Sequence, residues 1–134
     1  NGLQTVAVAA ENESSLLGDL SRKSSVPVFG VSDLSLPEIT AIAARANLFV
    51  GNDSGIAHIA AAVKTPVIVI FGSSNRDHWS PWTDSPNEMV YNSYQCQPCA
   101  GYTCEAFGEP RCILTVSPDS VFTAVLRMLE KRRS

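Results

Sequence analysis

A turn of small and polar residues, 51–55, separates an apolar segment from an amphipathic one. The first amides of a helix have no partners within the helix, and the helix dipole adds partial positive charge there. Ser54 can add a hydroxyl donor, and Gly55 lets an anion approach the backbone without a Cβ in its way. Asp53 would repel an anion but accepts hydrogen bonds from sugar hydroxyls. The pattern predicts a ligand with both a phosphate and a sugar.

The same turn has an explanation that needs no ligand. Asp53 or Ser54 can be the N-cap of the helix, which would satisfy the same amides. Spacing alone leaves both interpretations open. His58 lies one turn further on beside alanines, which is more typical of a hydrogen-bonded packing residue, although it could also face a diphosphate.

Two carboxylates, Glu11 and Glu13, follow the first apolar segment of the chain. Either could accept hydrogen bonds from both hydroxyls of a ribose. The alternative is a solvated acidic residue at a helix start, where the dipole favours it. From position alone, this alternative is the better explanation.

Short apolar segments alternate with amphipathic segments, which indicates strands that alternate with helices. The predicted strands are residues 3–10, 26–30, 48–50, 67–71 and 88–91. Ser35 and Glu38 predict a capping box, and Ser117 before Pro118 predicts the start of a last helix. The predicted buried stripes of the helices are Leu16, Leu17 and Leu20; Ile39, Ile42, Ala43 and Ala46; Ile56, Ile59, Ala60 and Val63; and Phe122, Val125, Leu126 and Leu129.

This alternation predicts an α/β fold with a Rossmann-like, doubly wound parallel sheet. Such a sheet binds ligands beyond the carboxyl ends of its strands. We therefore expect the loops after residues 10, 30, 50 and 71 to form one rim, which includes the polar turn.

Composition favours a single globular domain, because 134 residues with 45% hydrophobic and 17% charged side chains suit one core. The net charge of −3 and a single basic cluster at 131–133 argue against a nucleic-acid partner. The longest apolar run, 66–71, is far shorter than the roughly 20 residues of a membrane span. No secretory leader is apparent, so a cytoplasmic location is expected. The start at Asn1 suggests a piece of a longer protein.

The loop at 92–116 carries four cysteines, Cys96, Cys99, Cys104 and Cys112, in a spacing that suits tetrahedral zinc. Two disulfides or reduced thiols that pack are the alternatives, and a cytoplasmic location weakens the disulfide case. Trp79 and Trp82 could stack on a base or sugar, but we expect them to anchor their loop to the core.

Several separated segments together resemble the family-9 glycosyltransferases, which include the lipopolysaccharide heptosyltransferases. They are residues 48–62, 65–67, 71–74 and 79–82, and the resemblance extends from about residue 3 to the last helix. It implies a two-domain GT-B enzyme, of which residues 1–134 are the C-terminal, donor-binding domain, truncated at its N-terminal edge.

The resemblance also assigns roles. It implies that Asp53 contacts the donor sugar, that Ser54 and Gly55 contact the diphosphate, that His58 belongs to the same motif, and that Glu13 binds the nucleotide ribose. The turn at Ser35 falls where the family places part of its adenine pocket. No catalytic residue is expected here, because the base lies in the family's N-terminal domain.

The implied reaction moves a heptose-like sugar from an ADP-sugar to a lipopolysaccharide core acceptor, at the inner membrane face and without a required metal. Since the family has no known metal requirement, we expect a structural, metal-free role for the cysteines rather than zinc. A non-catalytic nucleotide-binding module and a zinc-stabilised interaction module remain the alternative functions.

Overall fold

The structure is a computed structural model, which describes residues 2–99 and 103–131. The chain divides into two compact units, residues 1–39 and 40–134, and helix α2 (Leu36–Arg45) begins in the first and ends in the second. The described strands form two parallel sheets, β1-β2 and β3-β4-β5. The predicted α/β class with parallel strands is confirmed.

The first unit is a strand, a helix and a second strand. Its elements are β1 (Thr5–Ala9), a 3-10 turn (Glu11–Glu13), α1 (Ser14–Lys23) and β2 (Val28–Ser32). The two strands are parallel, with Thr5 opposite Val28. Their carboxyl ends therefore lie at the same edge, as expected for this connection.

Helix α1 packs on its unit through one leucine. A Cβ at Gly30 would lie 3.1 Å from the Cβ of Leu17, which shows how closely α1 approaches β2. Leu16 and Leu20 are exposed, so the predicted stripe is wrong at these two positions. The two-stranded sheet of β1 and β2 gives α1 only a narrow surface to pack on, and Leu17 covers it.

The predicted pairing of Ser35 with Glu38 at the start of α2 is confirmed. The backbone N–H of Ser35 donates to Glu38 Oε2 at 2.8 Å, and the Ser35 hydroxyl donates to the same oxygen at 2.5 Å. These bonds hold the pKa of Glu38 below its ordinary value, mainly through the hydroxyl.

The second unit contains a three-stranded parallel sheet with β4 at its centre. Its elements after α2 are β3 (Phe49–Asn52), α3 (Gly55–Ala62), β4 (Val67–Ile70), α4 (Arg76–Trp79), β5 (Asn87–Val90), α5 (Arg111–Leu114) and α6 (Pro118–Lys131). The predicted strands at 48–50, 67–71 and 88–91 agree with β3, β4 and β5. The short helices α4 and α5 have no counterpart among the predicted elements.

Helices cover both faces of this sheet. Successive residues of β4 point to opposite faces, so Val67 and Val69 pack with the alanines of α2 and α3, whereas Ile68 packs with α6. These three side chains are almost completely buried. The Thr65 hydroxyl donates to the buried Ala43 carbonyl at 2.6 Å and joins the end of α3 to α2. This layering confirms the doubly wound prediction within the second unit.

Helix α6 begins as predicted but buries a different face. The Ser117 side chain accepts the backbone N–H of Ser120 at 3.1 Å, which confirms the cap. Ala124 and Met128 are buried, whereas Phe122 and Leu126 are 60% and 42% exposed. The predicted stripe is therefore wrong at Phe122 and Leu126.

Two further predictions concern the surface. Trp79 is 57% and Trp82 99% exposed, so the expectation that both anchor their loop to the core is wrong. The basic cluster at 131–133 lies outside the described residues after Lys131. In the ranges that the structure describes, no helix is long and apolar enough to span a bilayer.

Candidate functional site

An open cavity of about 240 Å³ lies at the carboxyl ends of β3 and β4. Two strand ends and a later segment of the chain contribute to it. Its lining residues are Asn52, Asp53, Ile70, Gly72, Ser73, Ser74, Pro110, Cys112 and Ile113. Within the second unit, the prediction that the loops after residues 50 and 71 share a rim is confirmed.

Asp53 lines this cavity directly after β3. Its backbone N–H donates to the Ile70 carbonyl at 3.1 Å, which ties the turn to the end of β4. The residue is half-buried. The residue is therefore placed at the cavity by the backbone of two neighbouring strands.

Among the described residues, no side chain caps the start of α3. Ser54 occupies the N-cap position with extended backbone, but its side chain makes no capping hydrogen bond. A Cβ placed on Gly55 would meet no atom within 4 Å, so the space beside this backbone is open. Of the two explanations for Ser54, side-chain capping is not the one that the structure adopts. An anion could reach the first amides of the helix.

In the described structure, the other predicted donor-binding residues do not line this cavity. His58 is half-buried on α3, and it is not among the described residues that line the cavity, nor are Ser54 and Gly55. Glu13 is exposed in the first unit, at the residue before α1, with no side-chain cap bond. Ser35, assigned to the adenine pocket by resemblance, is engaged as a helix cap.

The four cysteines line one smaller cavity of about 60 Å³. All four are free thiols. Burial and then the neighbouring cysteines raise the pKa of Cys99, whose Sγ donates to the Cys96 carbonyl at 3.0 Å. Over residues 2–99 and 103–131, no three Cys, His, Asp or Glu side chains form a group that could hold a metal ion.

Sequence reasoning missed part of the cavity wall. Asn52 lies within the predicted turn, and Gly72 to Ser74 lie in an expected rim loop, so the strand pattern gave a usable signal for both. Pro110 and Ile113 had none, because they belong to an irregular loop in which only the cysteines stand out.

The chain is similar to known proteins. A family model described as glycosyltransferase family 9 (heptosyltransferase) matches residues 6–108. The chain belongs to glycosyltransferase family 9.

Among relatives, lipopolysaccharide heptosyltransferase 3 of Escherichia coli K12 is 42% identical over 73 residues, which is 54% of this chain and 21% of that protein. Lipooligosaccharide heptosyltransferase 2 of Campylobacter jejuni serotype O:2 is 30% identical over 84 residues, 63% of this chain and 26% of that protein. These matches cover about a fifth to a quarter of the relatives.

A crystal structure of a family 9 glycosyl transferase from Veillonella parvula superposes with a TM-score of 0.77 at 19% identity. It covers 97% of this chain, while this chain covers 37% of it. At this identity the likeness concerns the fold, and it agrees with the GT-B-type α/β architecture expected from the sequence.

Proposed function

We propose that this family 9 chain is the donor-binding domain of a glycosyltransferase. In this proposal it moves a heptose-like sugar from an ADP-sugar to a lipopolysaccharide core acceptor. The matched relatives are named as heptosyltransferases of lipopolysaccharide or lipooligosaccharide. Acceptor and base would lie in a part of the protein outside residues 1–134.

The observation that supports this proposal most directly is the pairing of Asp53 with the open start of α3. A carboxylate at an open cavity suits sugar hydroxyls, whereas a helix start that no described side chain caps suits a diphosphate. Asp53 and the start of α3 are adjacent in sequence. In a nucleotide-sugar the sugar is likewise bonded directly to the diphosphate.

The proposed chemistry is a displacement at the anomeric carbon of the donor. The acceptor oxygen bonds to that carbon, the bond from the carbon to the diphosphate oxygen breaks, and ADP leaves with the electron pair. The hydroxyl proton passes to the base. The start of α3 would stabilise the negative charge that grows on the diphosphate, since dipoles fixed beforehand need no reorganisation.

Calorimetric titration with ADP and with UDP tests this proposal. We expect ADP to bind more tightly than UDP. In Gly55→Ala, the added Cβ projects into open space, so stability should hold. ADP affinity should fall by about tenfold or more, as the loss of one hydrogen bond to a charged group does. Asp53→Asn should weaken ADP-heptose more than ADP.

Asp119 gives a matched control, because it is an exposed carboxylate in the first turn of another helix, α6. Asp119→Asn should leave both affinities unchanged. Equal weakening by Asp53→Asn and Asp119→Asn would point to net charge rather than to a site. A folded protein that binds neither nucleotide would contradict the proposal.

A further inference from the structure

Two hydrogen bonds hold the loop after β4 against the cysteine-bearing loop. The Gln97 side-chain amide donates to the Gly72 carbonyl at 2.7 Å, and the Cys99 backbone N–H donates to the Ser73 carbonyl at 3.0 Å. Gln97 is itself fixed, because its Oε1 accepts the Tyr94 backbone N–H at 2.7 Å. Both accepting residues, Gly72 and Ser73, line the cavity beside Asp53.

The short helix α5 contacts the same loop from within the cysteine-bearing segment. A Cβ on Gly72 would lie 3.4 Å from the Cβ of Ile113 and 4.0 Å from the Sγ of Cys112. Cys112, Ser73 and Pro110 line both the open cavity and the cysteine-lined cavity. The two cavities therefore share one wall.

We infer that the cysteine-bearing loop forms a wall of the donor cavity. Within this wall, Ile113 is a specificity-determining residue that limits the size of the sugar bound beside Asp53. Ile113 is apolar and half-buried in this wall, so it acts by excluding volume rather than by hydrogen bonding. The inference rests on the proposed function for the class of ligand. It adds the cysteine-bearing loop to a donor site that otherwise consists of the turn at residues 51–55.

Affinities for ADP and ADP-heptose test the role of Ile113. Ile113→Trp should weaken ADP-heptose by about tenfold or more, as an overfilled pocket does, with a smaller effect on ADP. Leu114→Trp, a matched control on the 64% exposed neighbour, should have no effect on either affinity. Should Ile113→Trp not fold, Ile113→Ala replaces it and should admit a bulkier ADP-sugar that the unaltered protein rejects.

Hydrogen exchange tests the wall without any ligand. Gln97→Leu should speed exchange of the Cys99 amide, which donates to Ser73. Asn87→Leu, which removes another side-chain amide bonded to a backbone carbonyl, should leave it unchanged.

The outcomes separate the two proposals. If the unaltered protein binds ADP-heptose and Ile113→Trp and Ile113→Ala both bind like it, the inference is overturned while the proposed function stands. If the unaltered protein binds no nucleotide, the proposed function fails. In that case the donor-cavity wall fails with it, and Cys99 exchange in Gln97→Leu then reports only whether Gln97 holds the two loops together.

Discussion

The Phe49 ring lies over the Cα of Gly51, two residues along β3, so that a Cβ at position 51 would come within 2.6 Å of Phe49 Cζ. Phe49 also packs against the core cluster formed by α2, α3 and β4. The ring therefore cannot move aside without losing core contacts. Gly51 is required here by the space that its neighbour fills, and it directly precedes Asn52 and Asp53 of the cavity.

We expect Gly51→Ala to lower the free energy of unfolding by about 1–3 kcal/mol, because it overfills a packed position. Chemical denaturation measures this change. Gly55→Ala is the matched control, since its Cβ meets open space and should cost little. In a Phe49→Leu background, the smaller side chain should make room for the Gly51→Ala methyl group. Equal losses for Gly51→Ala in both backgrounds would contradict the steric explanation.

The buried face of α6 gives a second prediction. Met128 is 3% exposed and packs with Ile68 and Ala124, whereas Phe122 is 60% exposed. Met128→Ala should therefore cost about 2–5 kcal/mol of unfolding free energy, as expected for a core cavity. Phe122→Ala should cost much less, although Phe is the larger side chain. A larger loss for Phe122→Ala would show that the stripe predicted from periodicity is the buried one.

The error on α6 shows what periodicity can and cannot decide. The helix carries apolar residues over more than half of its circumference, so two overlapping stripes fit a period of 3.6 residues. Packing against Ile68 of β4 selects one of them. In contrast, β4 itself was predictable, because a continuous apolar run has no polar face to misassign.

The candidate site also has a part that was predictable from sequence and a part that was not. Asp53, Ser54 and Gly55 follow from local sequence, because a strand end, a turn and a helix start are contiguous. The wall was not predictable, since the bond from Gln97 to Gly72 joins residues 25 apart. Such a contact depends on where an irregular loop folds back, which no repeating pattern encodes.

The capping box predicts a pH dependence. The Ser35 hydroxyl and backbone N–H hold the pKa of Glu38 below its ordinary value of 4.5. A carboxyl group whose pKa is lower in the folded state stabilises that state above the unfolded pKa, and the contribution is lost as pH falls through the folded pKa. NMR titration should give a low pKa for Glu38 that returns toward its ordinary value in Ser35→Ala. Unfolding measured between pH 6 and about 3 should lose less stability in that variant than in the unaltered protein. Identical titration curves for Glu38 in both proteins would contradict the assignment.

The state of the four cysteines gives the last prediction. They line one cavity but form no group that could hold a metal ion among the described residues, and all four are free thiols. If the cysteines have the metal-free role expected from the sequence, purified reduced protein contains much less than one zinc per chain by elemental analysis. Since the raised pKa of Cys99 keeps its thiol protonated, alkylation of Cys99 should be slow at neutral pH and accelerate as pH rises. Stoichiometric zinc that is lost in Cys112→Ser would contradict the metal-free role. It would make the metal part of the wall that the cysteine-bearing loop contributes to the cavity beside Asp53.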